Sequence, residues 1–182
     1  MNKISLFLMT LLSFSFFNAQ TNETNAETSE VNNEIKLNLI TPLLGAFEVG
    51  YERFLNKNSS LGISAFMVYE LSKNDDMNYY ISPYYRYYFG KKYASGIFVE
   101  GFGMLTSIDG KKIYDATDKL TFTEGKDIYD LALGAGLGWK LMTKKGIVFE
   151  ANIAYGKLMF NADKTDHNQV IKLGLSVGYR FK

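Results

Sequence analysis

The chain has 182 residues, which fits one domain, and carries 20 Lys and Arg against 19 Asp and Glu. That balance excludes a basic field that would recruit nucleic acid, and equally an acidic solvating tail. With no Cys there are no disulfides, no thiolate metal site and no lipidated N-terminal cysteine, and a single His leaves little for imidazole chemistry.

Met1 to Gln20 reads as a cleaved secretory signal peptide: Lys3, then an apolar run from Ile4 to Phe17, then Asn18, Ala19 and Gln20. The run is shorter than the roughly 20 residues of a spanning helix. No later stretch is as apolar, so any membrane passage must be made by a barrel. Thr21 to Asn33 is polar and acidic and reads as a disordered leader. From Glu34 to Lys182 the chain reads as strand after strand, in keeping with its 13 Tyr and 14 Phe.

The first predicted strand covers Glu34 to Thr41, with Ile35, Leu37 and Leu39 on one face and Lys36 and Asn38 on the other. Pro42 to Gly45 is a turn. The second, Ala46 to Leu55, sets Phe47, Val49 and Tyr51 against Glu48, Gly50 and Glu52. After the Asn56 to Ser59 turn, the third runs from Ser60 to Leu71, with Glu70 on its polar face. The fourth, Tyr79 to Phe89, sets Ile81, Tyr85, Tyr87 and Phe89 against Ser82, Tyr84, Arg86 and Tyr88. Pro83 lacks a ladder donor and predicts local weakness or a bulge.

The fifth strand, Gly96 to Leu105, has two open registers. Either Glu100 points inward and Gly101 and Gly103 point outward with Ile97 and Val99, or Glu100, Phe98 and Phe102 all point outward. Thr106 to Lys126 reads as a long, charged, irregular loop in which Tyr114, Leu120 and Phe122 suit an extended hairpin. Its carboxylates lack the spacing of a calcium-binding hand. The sixth strand, Asp127 to Leu141, turns Tyr129, Leu131, Leu133, Ala135, Leu137 and Trp139 outward. The seventh, Ile147 to Lys157, turns Glu150 and Asn152 inward. The eighth, Gln169 to Lys182, alternates Ile171, Leu173, Leu175, Val177, Tyr179 and Phe181 with Lys172, Gly174, Ser176, Gly178 and Arg180.

This is the pattern of an eight-stranded antiparallel up-and-down transmembrane β-barrel, apolar outside and polar inside. Connections after the second, fourth and sixth strands are short, and those after the third, fifth and seventh are longer, as for periplasmic turns and outer loops. The first connection, at Pro42, is the exception. The interior is expected to receive Lys36, Glu48, Glu52, Glu70, Arg86, Asp130, Lys140, Glu150, Lys172 and Arg180, together with Glu100 in one of its registers. Eight strands leave room only for side chains, so these charges are expected to pair into a plug. Tyr51, Phe54, Tyr87, Phe89, Trp139, Tyr179 and Phe181 are expected to form an aromatic girdle at the periplasmic rim. The alternate glycines Gly134, Gly136 and Gly138 share a strand face and read as packing, not as a phosphate loop. His167 has no Ser or carboxylate partner at suitable spacing, so no catalytic, metal or cofactor site is read.

The signal peptide, the alternation and the terminal Gly178-Tyr179-Arg180-Phe181 resemble the small eight-stranded outer-membrane β-barrel superfamily, OmpX-like and OmpA membrane-domain-like. Phe47 to Arg53, FEVGYER, looks most like uncharacterised outer-membrane barrels of Bacteroidota. The resemblance implies an outer-membrane location, contact with membrane lipids, lipopolysaccharide and the outer-membrane assembly machinery, and a surface ligand. It implies no enzyme activity, and Lys182 departs from the family's final aromatic residue. Three other readings stay open: a narrow ion or small-solute channel, a soluble lipocalin-like binder with its faces reversed, and a lipid-modifying outer-membrane enzyme.

Overall fold

The computed structural model describes residues 33–69, 77–114, 122–166 and 168–182. Glu70, Leu120 and His167 therefore lie outside the described residues, as do the expected signal peptide and all of the leader but Asn33. Ten strands are described: β1 (Asn33–Asn38), β2 (Ala46–Phe54), β3 (Ser59–Val68), β4 (Met77–Tyr88), β5 (Gly96–Ile108), β6 (Lys112–Tyr114), β7 (Phe122–Glu124), β8 (Ile128–Met142), β9 (Ile147–Leu158) and β10 (Gln169–Phe181). Eight of them form a closed antiparallel barrel in the order β1-β10-β9-β8-β5-β4-β3-β2, and β6 and β7 pair separately. Closure is made by β1, which pairs with β2 on one side and β10 on the other, Glu34 lying opposite both Glu52 and Arg180.

The alternation read in the sequence decides which face goes where. On β10 Leu173 is 55 % exposed while its neighbour Lys172 is 8 % exposed. On β1 Leu37 is 55 % exposed and Lys36 is 5 %. The apolar face is outside, and the charged face is buried.

β1 stops three residues short of the expected end because the Asn38 side chain stands in for further strand. Its Nδ2 donates to Leu173 O at 3.0 Å, and its Oδ1 accepts from Leu175 N at 3.3 Å and from Ile40 N at 3.0 Å. The chain then makes a 3-10 turn over Thr41–Leu44, with Pro42 in its first turn and Gly45 in the left-handed region at φ 78°. Pro83 causes no bulge. It keeps register with Ile63 of β3, and the β4–β5 pairing has the same register on either side of it, at Ile81↔Leu105 and Tyr84↔Phe102. Ser82 and Pro83 are skipped on that side, where the Ser82 hydroxyl donates to Gly103 O at 2.9 Å. The irregularity sits at Met77/Tyr79 instead.

β5 takes the register with Glu100 inward, alongside Phe98, Phe102 and Met104, and with Gly101 and Gly103 on the outside. It extends to Ile108, so its last three residues come out of the expected loop, and within that loop β6 and β7 pair antiparallel, from Lys112↔Glu124 to Tyr114↔Phe122, in place of the irregular chain expected there.

Two apolar clusters fill the barrel beyond its charges. One, toward the 109–127 and 159–168 loops (the loop end), includes Tyr80, Phe102, Met104, Ile108, Leu158 and Val170. The other, toward the 55–58 and 143–146 turns (the turn end), is Phe54, Tyr88, Ala94 and Phe98. The inward glycines of β8 make room for them. A Cβ on Gly134 would lie 2.4 Å from Phe102 Cζ and 2.4 Å from Tyr155 O, and one on Gly138 would lie 2.4 Å from Phe98 Cζ. A carbonyl of the neighbouring strand cannot yield, so Gly134→Leu is expected to destabilise the barrel by about 1–3 kcal/mol or more. The urea midpoint of the barrel refolded in lipid vesicles measures this.

Candidate functional site: the charged interior

Strand parity turns carboxylates and cations from most barrel strands into the interior. Glu34 and Lys36 come from β1, Glu52 from β2, Arg86 from β4, Glu100 from β5, Lys140 from β8, Glu150 from β9, and Lys172 and Arg180 from β10. All nine are buried, and Glu34, Glu52 and Lys140 are fully so.

Glu52 is the hub. Its Oε2 accepts from Lys36 Nζ at 2.7 Å, Lys140 Nζ at 2.9 Å and Arg86 Nη1 at 3.1 Å. Its Oε1 accepts from the Ser60 hydroxyl at 2.6 Å and from the Tyr88 hydroxyl. Glu150 is the second centre, taking Arg86 Nη1 at 2.7 Å and Lys36 Nζ at 2.9 Å, with Lys140 Nζ at 3.3 Å. Arg86 also gives its Nε to Glu100 Oε2 at 2.7 Å. Lys140 reaches Glu34 at 2.9 Å, and Arg180 holds Glu34 Oε2 with Nε at 3.1 Å and Nη2 at 2.9 Å. Cations also lie over rings that wall the site: Arg86 over Phe98 at 4.3 Å and Tyr84 at 4.4 Å, Arg180 over Phe54 at 4.0 Å.

Carboxylate oxygens of Glu34, Glu52 and Glu150 come within 4.8 Å of one another, a grouping that would suit a metal ion. Here Lys36, Lys140 and Arg86 already stand among them within hydrogen-bond range. The cluster neutralises itself, and its chemistry is mutual charge pairing.

Lys172 is held more loosely, at 3.4 Å from the Ser64 and Ser82 hydroxyls and 3.8 Å from Glu100 Oε1, an oxygen with no hydrogen bond among the described residues. Lys172 lines a cavity of about 30 Å³ with Asn38, Glu48, Ser64 and Ser176. That volume is about one water molecule.

Two of the expected interior residues, Glu48 and Asp130, stand apart from this network. Glu48 lies inside but pairs with neutral groups, Tyr80 Oη at 2.6 Å and Asn38 Nδ2 at 2.7 Å. Asp130 caps the 159–168 loop, accepting from Asn161 N at 2.7 Å and Phe160 N at 3.1 Å. Glu70 is outside the described residues. Glu34 is a member the sequence reading did not assign, although it shares the parity of Lys36 on the same strand.

Of the expected girdle, Tyr51, Tyr87, Phe89, Trp139, Tyr179 and Phe181 face outward at the turn end. Phe54 does not. It is 4 % exposed, because its place on β2 follows Gly50 and Glu52 inward. There it meets the 89–95 connection, which folds into the barrel mouth. Ala94, at φ 39°, is fully buried, its N–H donates to Lys57 O at 2.8 Å, and its carbonyl accepts from Arg180 Nη2 at 2.9 Å.

A family model described as "Protein of unknown function (DUF3575)" matches residues 6–173. No curated protein matches the chain. Among solved structures, the N-terminal β-barrel domain of Pseudomonas aeruginosa OprF is similar, with TM-score 0.49, 14 % identity, 84 % of this chain and 98 % of that one covered. The Yersinia pestis outer membrane protein Ail, in a phospholipid bilayer nanodisc, gives TM-score 0.41, 19 % identity, and 84 % and 100 % coverage. Both scores are below 0.5, and the barrel assignment rests on its own strand pairing.

Proposed function

The chain belongs to the DUF3575 family, and from that premise we propose that it is an integral outer-membrane β-barrel with a sealed interior, acting without catalysis at the cell envelope through its loop end. The observation that carries this reading is the inversion of the barrel: apolar side chains cover the outside and charges fill the inside. Leu61, Ile81, Leu105, Leu133, Ile153 and Leu173 are all exposed on the outer wall. In water such a wall would aggregate, while in a bilayer it is solvated by lipid, and closure leaves no unpaired strand edge there. A lipocalin-like binder needs the opposite arrangement, with an apolar pocket inside.

Sealing is supported by the salt-bridged layer, its two flanking apolar clusters and an interior cavity of about 30 Å³. A hydrated ion path needs a continuous lumen. The mature protein extracted from outer membranes is expected to migrate differently on a gel unboiled and boiled, and to give no steady conductance in a planar bilayer. A soluble species with no heat-dependent shift would refute the membrane reading. A reproducible single-channel current would refute the seal and favour the narrow-channel reading.

A further inference from the structure

We propose that the loop end carries a cleft that binds phosphate groups of membrane lipid. This rests on the reading of the chain as a membrane barrel. The cleft has a volume of about 520 Å³ and lies between the base of the β6–β7 hairpin and the 159–168 loop, with Lys111, Lys126, Lys164, Asp127, Tyr129 and Asn161 around it. The two segments are tied together by Lys111 N donating to Lys164 O at 3.1 Å and by the Thr165 hydroxyl donating to Asp109 O at 2.9 Å. Gly110 and Gly125 are among the residues that line it. A Cβ on Gly110 would lie 2.5 Å from Lys126 O and one on Gly125 3.1 Å from Lys111 O, so both positions let the two backbones beside the cleft approach closely.

Its charge is one-sided. Three lysines face one carboxylate, Asp127, whose Oδ2 already accepts from Asn78 Nδ2 at 3.2 Å. Lys164 Nζ donates to the neutral Asn161 Oδ1 at 2.9 Å, and among the described residues no carboxylate pairs with Lys111, Lys126 or Lys164. Asp163 and Asp166 of the same loop do not line the cleft.

Its position selects the source of the anion. Tyr129 is 66 % exposed on the outer wall, and its ring lies 6.4 Å from that of Tyr79. Exposed tyrosines mark the level of lipid headgroups. The cleft therefore opens beside the headgroup layer, where ammonium groups meet phosphate, and Asn161 and Tyr129 add hydrogen-bonding and apolar surface for the rest of a lipid.

The test uses the full mature barrel in a zwitterionic detergent, titrated with short-chain phosphatidic acid and followed by native mass spectrometry. Replacing Lys111, Lys126 and Lys164 together with Gln is expected to weaken binding on the order of 100-fold, roughly fivefold per lysine. Replacing Lys57, Lys144 and Lys145, exposed at the turn end, with Gln is expected to leave binding unchanged. Equal losses in the two triple variants would show general charge attraction and overturn the cleft. Inorganic phosphate competing as well as the lipid does would overturn the lipid source. Retention of the heat-dependent gel shift by each variant shows that its barrel is intact. A wild-type chain with no such shift would refute the membrane reading itself, whatever the lysines bind.

Discussion

Glu52→Leu is expected to cost the barrel about 3–5 kcal/mol, the largest effect of any single change to its interior. Glu52 is completely buried and accepts from three cations at 2.7, 2.9 and 3.1 Å. Without it, Lys36, Lys140 and Arg86 must share Glu150 and Glu34. The apolar clusters on either side of the charge layer keep water from replacing the lost carboxylate, so the surplus cation stays in a low-dielectric site. Glu52→Gln keeps the shape but not the charge, and is expected to lose stability in the same direction. Adding Lys140→Met to Glu52→Leu restores the balance and is expected to recover part of the loss. Equilibrium urea unfolding in lipid vesicles, read by the single tryptophan, Trp139, on the outer wall, measures all three. A Glu52→Leu barrel within about 1 kcal/mol of the parent, the size of an exposed ion pair, would mean that the charge layer is hydrated and is not a seal.

Much of this interior was legible because a strand's parity is a hard constraint. Once Leu173 and Leu175 are outside, Lys172 and Arg180 have nowhere to point but in. Parity extends to Glu34, which the sequence reading leaves unassigned, and to Phe54, which it places in the girdle although Gly50 and Glu52 carry that face of β2 inward. Parity says nothing of partners. Lys36 and Glu150 are 114 residues apart and meet only because the sheet closes with a particular stagger. It is also silent where both faces are apolar, which is why β5 had two registers: Phe98, Phe102 and Met104 look no more inward than Ile97 and Val99. Packing settles it, since the rings need the gaps left by Gly134 and Gly138 on β8. The inward fold of 89–95 has no periodic signal at all. Most of its anchors are backbone groups, the carbonyls of Tyr93 and Ala94 and the Ala94 N–H, which carry no side-chain signal; the Ser95 hydroxyl, donating to Lys140 O at 3.0 Å, is the exception.

Arg180→Met is expected to loosen the barrel where it closes. β1 is the shortest of the barrel strands, and its ladder to β10 runs only from Asn33↔Phe181 to Asn38↔Ser176. The Arg180 guanidinium spans that seam, holding Glu34 Oε2 at 3.1 and 2.9 Å, and it reaches on to Tyr93 O at 3.1 Å and Ala94 O at 2.9 Å. One side chain thus joins the first strand, the last strand and the connection that fills the turn-end mouth. Methionine keeps much of the apolar length over Phe54 but leaves Glu34 paired chiefly with Lys140 and leaves two carbonyls without their donor. The expected cost is about 3 kcal/mol, set by one broken buried ion pair. Its location is the sharper part of the prediction. Amide hydrogen exchange is expected to rise at 33–38, at 176–181 and around Ala94, and to stay slow in the β5–β8 ladder across the barrel, because that side opens only with the whole fold. Uniformly faster exchange would show that Arg180 supports global stability without acting as a clasp. Unchanged exchange at 33–38 would show that the backbone ladder alone holds the seam.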